Sequence, residues 1–77
     1  MKGNRYEIST PLSDKAFKKI GYVIDRKDWF IEYFREYGKK TIYIDIYSKT
    51  FSCSRVLNGK EIKALCLLFK ELGWSDA

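Results

Sequence analysis

The chain has 77 residues, 45% hydrophobic and 17% aromatic, which suits one small folded domain and excludes a disordered segment. Fifteen Lys and Arg against ten Asp and Glu give a net charge of +5. That charge favours an anionic partner and excludes an overall acidic mimic of DNA. There is no histidine, which removes the commonest general base, the commonest metal ligand and any Ser or Cys nucleophile paired with histidine. The expectation is a non-enzyme with no catalytic residue, no metal and no cofactor.

Residues 1–10, "MKGNRYEIST", lack the apolar core of a signal peptide. Their one weak alternation, Tyr6 and Ile8, reads as an arm or an edge strand. No stretch approaches the roughly 20 apolar residues of a membrane span, so the expected location is the cytoplasm of a bacterial host, with no membrane partner.

Pro11 precedes "SDKAFKKIG", which reads as a short helix. Ser13 is placed to cap it, Asp14 suits its positive end, and Ala16, Phe17 and Ile20 face inward. "YVID" reads as a short strand turned by "RKD" into the next segment. "DWFIEYFREYG" fits either a helix or a strand. Its aromatic and β-branched residues favour the strand, with Trp29, Ile31 and Tyr33 inward and Phe30, Glu32 and Phe34 outward. "GKK" then makes a turn. "TIYIDIY" alternates strictly, with Ile42, Ile44 and Ile46 toward the core and Thr41, Tyr43, Asp45 and Tyr47 outward. Ser48 and Lys49 make a tight turn into "TFSCS", with Phe51 and Cys53 inward and a break near Arg55.

The last element carries the strongest signal. Asn58 caps a helix over 59–72, and Glu61 completes a capping box. Ile62, Leu65, Cys66, Phe69 and Leu72 recur at helical spacing, widened by Leu68, and Gly73 stops the helix. Cys53 and Cys66 read as reduced, buried small hydrophobes, too few for a disulfide framework.

One phrase occurs twice, "FKKIGY" at 17–22 and "FKELGW" at 69–74. Each reads as a glycine-terminated helix end. The glycine takes the left-handed conformation, and the aromatic after it packs on the residue five earlier. Phe17, Tyr22, Phe69 and Trp74 are thereby assigned to packing.

The candidate binding residues lie on the sheet. Tyr43 and Tyr47 point outward, with Asp45 between them. Lys39 and Lys40 stand at a strand end, and Arg26 and Lys27 at the preceding turn. Such rings and cations suit either a protein contact or single-stranded nucleic acid. There is no Gly-rich phosphate loop and no Cys/His cluster.

The order "F-K-K-I-G-Y", "I-E-Y", "I-Y-I-D-I-Y-S-K-T-F", "E-I-K-A-L", "E-L-G-W", spanning about residues 16–74, resembles a loose group of small uncharacterised proteins. These occur in phages and mobile elements of Gram-positive bacteria. The chain differs from their pattern in Ile62 for leucine and in its basic charge. The resemblance implies an accessory protein of a mobile element.

The fold expected is α+β, a single domain over 1–77. A three- to four-stranded antiparallel sheet is covered by a C-terminal helix, with a short N-terminal helix. The leading functional reading is a non-enzymatic protein that binds a host protein handling nucleic acid, in the manner of an inhibitor of a defence nuclease such as a CRISPR effector. The alternative is direct binding of nucleic acid. A third is a self-associating structural protein, with a homodimer as a further source of stability.

Overall fold

The computed structural model describes residues 10–74, so the Tyr6/Ile8 alternation lies outside the described residues. The elements run α1 (Leu12–Lys19), β1 (Val23–Arg26), β2 (Phe30–Arg35), β3 (Lys40–Asp45), β4 (Thr50–Cys53) and α2 (Gly59–Leu72). The strands form one antiparallel meander in the order β1-β2-β3-β4. The fold is therefore the α+β arrangement expected, with four strands, and 28–37 is a turn and a strand rather than a helix.

Register divides the sheet into two unlike faces. Ile31 pairs with Ile44 and Tyr33 with Ile42, and all four are buried. Phe17 of α1 stacks on Tyr33 at 4.0 Å between ring centroids, and Leu65, Leu68 and Ala64 of α2 complete the same core. Both helices thus lie on one face, and among the described residues no element covers the other. The two helices bury the β2 and β3 positions of their own side, while Phe51 and Cys53 on the β4 edge stay exposed.

Both copies of the repeated phrase end a helix in the same way. Gly21 and Gly73 have φ of 95° and 77°. Tyr22 N–H donates to the Phe17 carbonyl at 3.0 Å and Gly21 N–H to that of Lys18 at 3.0 Å. Trp74 N–H donates to Phe69 at 2.8 Å and Gly73 N–H to Lys70 at 3.1 Å. The rings pack as expected: Phe17 edge-on to Tyr22, Phe69 stacked on Trp74. This is a Schellman stop twice over.

Several expectations are corrected. Ser13 does not cap α1, whose N-cap is Pro11. Ser13 sits inside the first turn and gives both its N–H and its hydroxyl to the carboxylate of Glu71. One orphan donor at the start of α1, the Ser13 N–H, is thus satisfied across the fold, not locally. The inward stripe of α2 is Glu61, Ala64, Leu65 and Leu68, at i, i+3, i+4 and i+7. Ile62 and Cys66 fall one position further round and are exposed. The capped Glu61 is drawn inside by partners on the sheet, and this sets the rotation of the helix.

Cys53 and Phe51 share the face of Ile42 and Ile44 by register, as expected, yet both are exposed. They lie on the edge strand, where Phe51 sets its ring against that of Phe69, 5.5 Å between centroids. Trp29 is 48% exposed rather than inward, because it precedes β2 and sets its ring edge-on against Phe30. The β3–β4 turn is a four-residue loop over 46–49 rather than a two-residue one, with Lys49 at φ 59°, so Ile46 is only half-buried and Tyr47 leaves the strand.

Two glycine substitutions separate backbone conformation from packing. An ideal Cβ at Gly73 or at Gly59 would meet nothing within 4 Å, but only Gly73 has a positive φ. Gly73→Ala is expected to cost about 1 kcal/mol in denaturant titration. Gly59→Ala should be neutral or stabilising by up to about 1 kcal/mol. Equal effects at the two positions would count against the left-handed stop.

Candidate functional site

The candidate residues named from the sequence do not assemble. Arg26 is held by Asp14 through Nε at 2.9 Å and Nη2 at 3.1 Å. Lys40 is only 8% exposed, with its ammonium inside the fold. Tyr47 sits out in the β3–β4 loop, and Lys39 lies in the β2–β3 turn at φ 48°. Lys27 stays exposed and approaches Asp25 at 3.7 Å. Tyr43 alone is where a sheet-face contact requires it, pointing away from both helices.

Two of these cations serve as anchors. The Glu61 carboxylate is fully buried and accepts from Lys40 Nζ at 2.8 and 3.0 Å, from the Tyr22 hydroxyl at 2.7 Å and from the Asn58 N–H at 2.8 Å. Arg35 stands 3.6 Å away, with its guanidinium over the Tyr22 ring. Burial alone would raise the Glu61 pKa, but the hydrogen bonds from Lys40, Tyr22 and Asn58 outweigh it and hold the carboxyl below its ordinary range. The Tyr22 phenol is driven well above its ordinary range by burial and by its bond to Glu61.

Asp14 forms the second anchor. It takes Arg26 from one side and the Tyr33 hydroxyl, at 3.0 Å, from the other. The hydrogen bond to Asp14 raises the Arg26 pKa, and burial raises that of Tyr33. Each ionisable group in these clusters has a structural partner, and no described buried side-chain N or O is left without one. These contacts tie α1 and α2 to the sheet and so act as scaffold.

The surface chemistry lies elsewhere, on the bare face of the sheet. The strand positions facing away from the helices are Val23 and Asp25; Phe30, Glu32 and Phe34; Thr41, Tyr43 and Asp45; and Thr50 and Ser52. Trp29, Phe30 and Tyr43 form a connected ring series, each contact 5.3 Å between centroids. Phe34 and Val23, paired across β1 and β2, are exposed beside them. Asp25, Glu32 and Asp45 are the charged side chains at these positions, and no cation is among them. Asp25 lies directly opposite Glu32 across the β1–β2 ladder. Like charges placed so are destabilising. Asp45 also accepts from the Ser48 N–H at 3.1 Å.

Six exposed lysines stand on the helical side, while Lys27, Lys39, Lys49 and Arg55 are exposed in the connections. Lys15, Lys18 and Lys19 of α1 and Lys60, Lys63 and Lys70 of α2 are all exposed. The sequence signal for this segregation was present: the lysines fall on the polar faces of both helices, and the carboxylates on the Tyr43 phase of the strands. Among the described residues no three Cys, Asp or Glu gather where they could hold a metal ion. No described helix is long and apolar enough to cross a membrane.

The Glu61 anchor makes two tests. Lys40→Met is expected to cost about 3 kcal/mol or more, because it leaves a buried carboxylate without its main partner. Adding Glu61→Gln should recover part of that loss, since Gln keeps the capping acceptor without the charge. A double variant as unstable as the sum of the singles would contradict the pairing. The depressed carboxyl also fixes a sign. Its contribution is complete above roughly pH 4.3, the ordinary glutamate value, and is lost as pH falls through the lower folded-state value. The acid limb of stability should therefore be shallower in Glu61→Gln than in the wild type. Parallel limbs would show that Glu61 is not held in this way.

Comparison with protein-family models, with curated proteins and with solved structures found no match to this chain.

Proposed function

We propose that this protein is a non-catalytic binding protein that seats its bare sheet face on a host protein that handles nucleic acid. The observation that carries this reading is the Asp25–Glu32 pair, two carboxylates that strand register places opposite each other beside Phe34 and Tyr43, with the exposed Lys27 of the same chain 3.7 Å from Asp25 and none of the described ion pairs reaching Glu32. An arginine or lysine from a partner would relieve the repulsion between them and meet ring faces at the same spot. Trp29, Phe34 and Val23 supply exposed apolar area around it, the usual composition of an interface anchor.

Proteins that handle nucleic acid present basic grooves to hold phosphates. An acidic, aromatic face is complementary to such a groove, even on a chain whose net charge is +5. The same carboxylates would repel a phosphate backbone, so direct nucleic-acid binding through Tyr43 is the weaker reading. The resemblance to phage and mobile-element proteins extends the proposal: an accessory protein acting in the bacterial cytoplasm, with a defence nuclease as one target class.

The test is capture from a bacterial host lysate at moderate salt, with the wild type and two variants compared. Retention of a nucleic-acid-handling protein by the wild type is expected. Phe34→Ala should weaken that retention about tenfold or more. Glu32→Gln should also weaken it, while leaving the free protein as stable or up to about 1 kcal/mol more stable, because a like-charge pair has been removed. Retention of nucleic acid alone, or binding indifferent to both variants, would overturn the proposal.

A further inference from the structure

We infer that the trough between α1 and α2, on the side away from the sheet, is a docking site for an acidic amphipathic helix of a second protein. Its floor is Ala16 and Ile20 of the α1 end and Ala64 and Leu67 of α2. The two alanines keep this floor low where the helices meet. Lys19, Lys60 and Lys63 stand on its rim. The concave surface continues along α2, past Cys66 and Leu67, to Lys70. The lining on α2 runs from Lys60 to Lys70, a length of about 15 Å, which matches a partner helix of about three turns.

The charge of this side has no counterpart within the described fold. None of the six exposed helix lysines forms an ion pair among the described residues. The carboxylates of the same helices are engaged: Asp14 by Arg26, Glu61 by Lys40, Glu71 by Ser13. An apolar floor between lysine rims is the complement of a helix with apolar residues at i, i+3 or i+4 and i+7 and carboxylates on both flanks.

Other occupants fit less of the geometry. A phosphate backbone would use the lysines but leave the apolar floor wet, and the trough offers no ring on which a base could stack. A membrane surface calls for apolar side chains that protrude, whereas these are recessed. A second copy of this chain offers its acidity on a flat sheet face, which does not fill a concave trough. Residues 1–9 carry Lys2 and Arg5 against Glu7, so that segment has the wrong charge. The site is separate from the sheet face and stands or falls independently of it.

A displayed library of random helical peptides, selected against the full-length protein, tests this directly. Enriched peptides should be acidic, with apolar residues at helical spacing. Their affinity, measured by fluorescence polarisation, should fall about tenfold or more in Lys63→Glu and in Leu67→Lys, and should be unchanged in Glu32→Gln. Thermal melts confirm that each variant is folded, and Lys60→Glu replaces any that is not. About 20 base pairs of duplex DNA and phosphatidylserine vesicles are assayed in parallel. The inference is overturned if nothing enriches, if the enriched peptides are basic, if Glu32→Gln abolishes their binding, or if DNA or vesicles bind and are lost in Lys63→Glu.

Discussion

The structure depends on one buried carboxylate. Glu61 closes the capping box of α2 and accepts Lys40 from the start of β3 and Tyr22 from just past α1, with Arg35 at the end of β2 close by. A single side chain thus joins α2 to the residue just past α1 and to both strands that flank the β2–β3 turn. A 77-residue chain has few kcal/mol in reserve, so an uncompensated buried charge would be intolerable. Glu61 is tolerated because its oxygens are fully engaged. Its position fixes the rotation of α2, which in turn decides that Ala64, Leu65 and Leu68 meet the sheet.

Asp14 performs the matching task for α1. With Arg26 and Tyr33 it pins the short helix over β1 and β2, and Ser13–Glu71 ties the two helices together. Both helices are held to one side, and no described element covers the opposite face, where Phe34 and Asp25 are exposed and Phe30, Glu32, Tyr43 and Asp45 are half-buried. The consequence is a segregation of charge that net charge hides. Six lysines lie on the helices, and Asp25, Glu32 and Asp45 lie on the open sheet. A molecule so divided presents two chemically different surfaces, and each suits a partner of opposite sign.

Much of the fold was legible in the sequence because it rests on local chemistry. The strict alternation of "TIYIDIY" placed Ile42 and Ile44, the Asn58–Glu61 spacing placed the start of α2, and the repeated glycine phrase placed both helix ends. What was not legible depends on contacts distant in sequence. Lys40 at a strand end looks like a surface cation until Glu61, 21 residues later, is seen to hold it. Ser13 looks like a cap until Glu71 arrives from the other helix. Cys66 and Ile62 look like core because Glu61, the true inward residue, is charged. Among the binding candidates, the alternation placed Tyr43 correctly on the outward face. The acidity of that face became visible only when strand register put Asp25 opposite Glu32.

Hydroxyl-radical footprinting of the free protein and of the protein with its captured partner tests the central claim most directly. In the free protein, Trp29, Phe34 and Tyr43 should be oxidised while Phe17 and Tyr33 are spared. In the complex, Trp29, Phe34 and Tyr43 should become shielded. Shielding of those three residues in the free protein, or their continued oxidation in the complex, would contradict a bare sheet face used for binding.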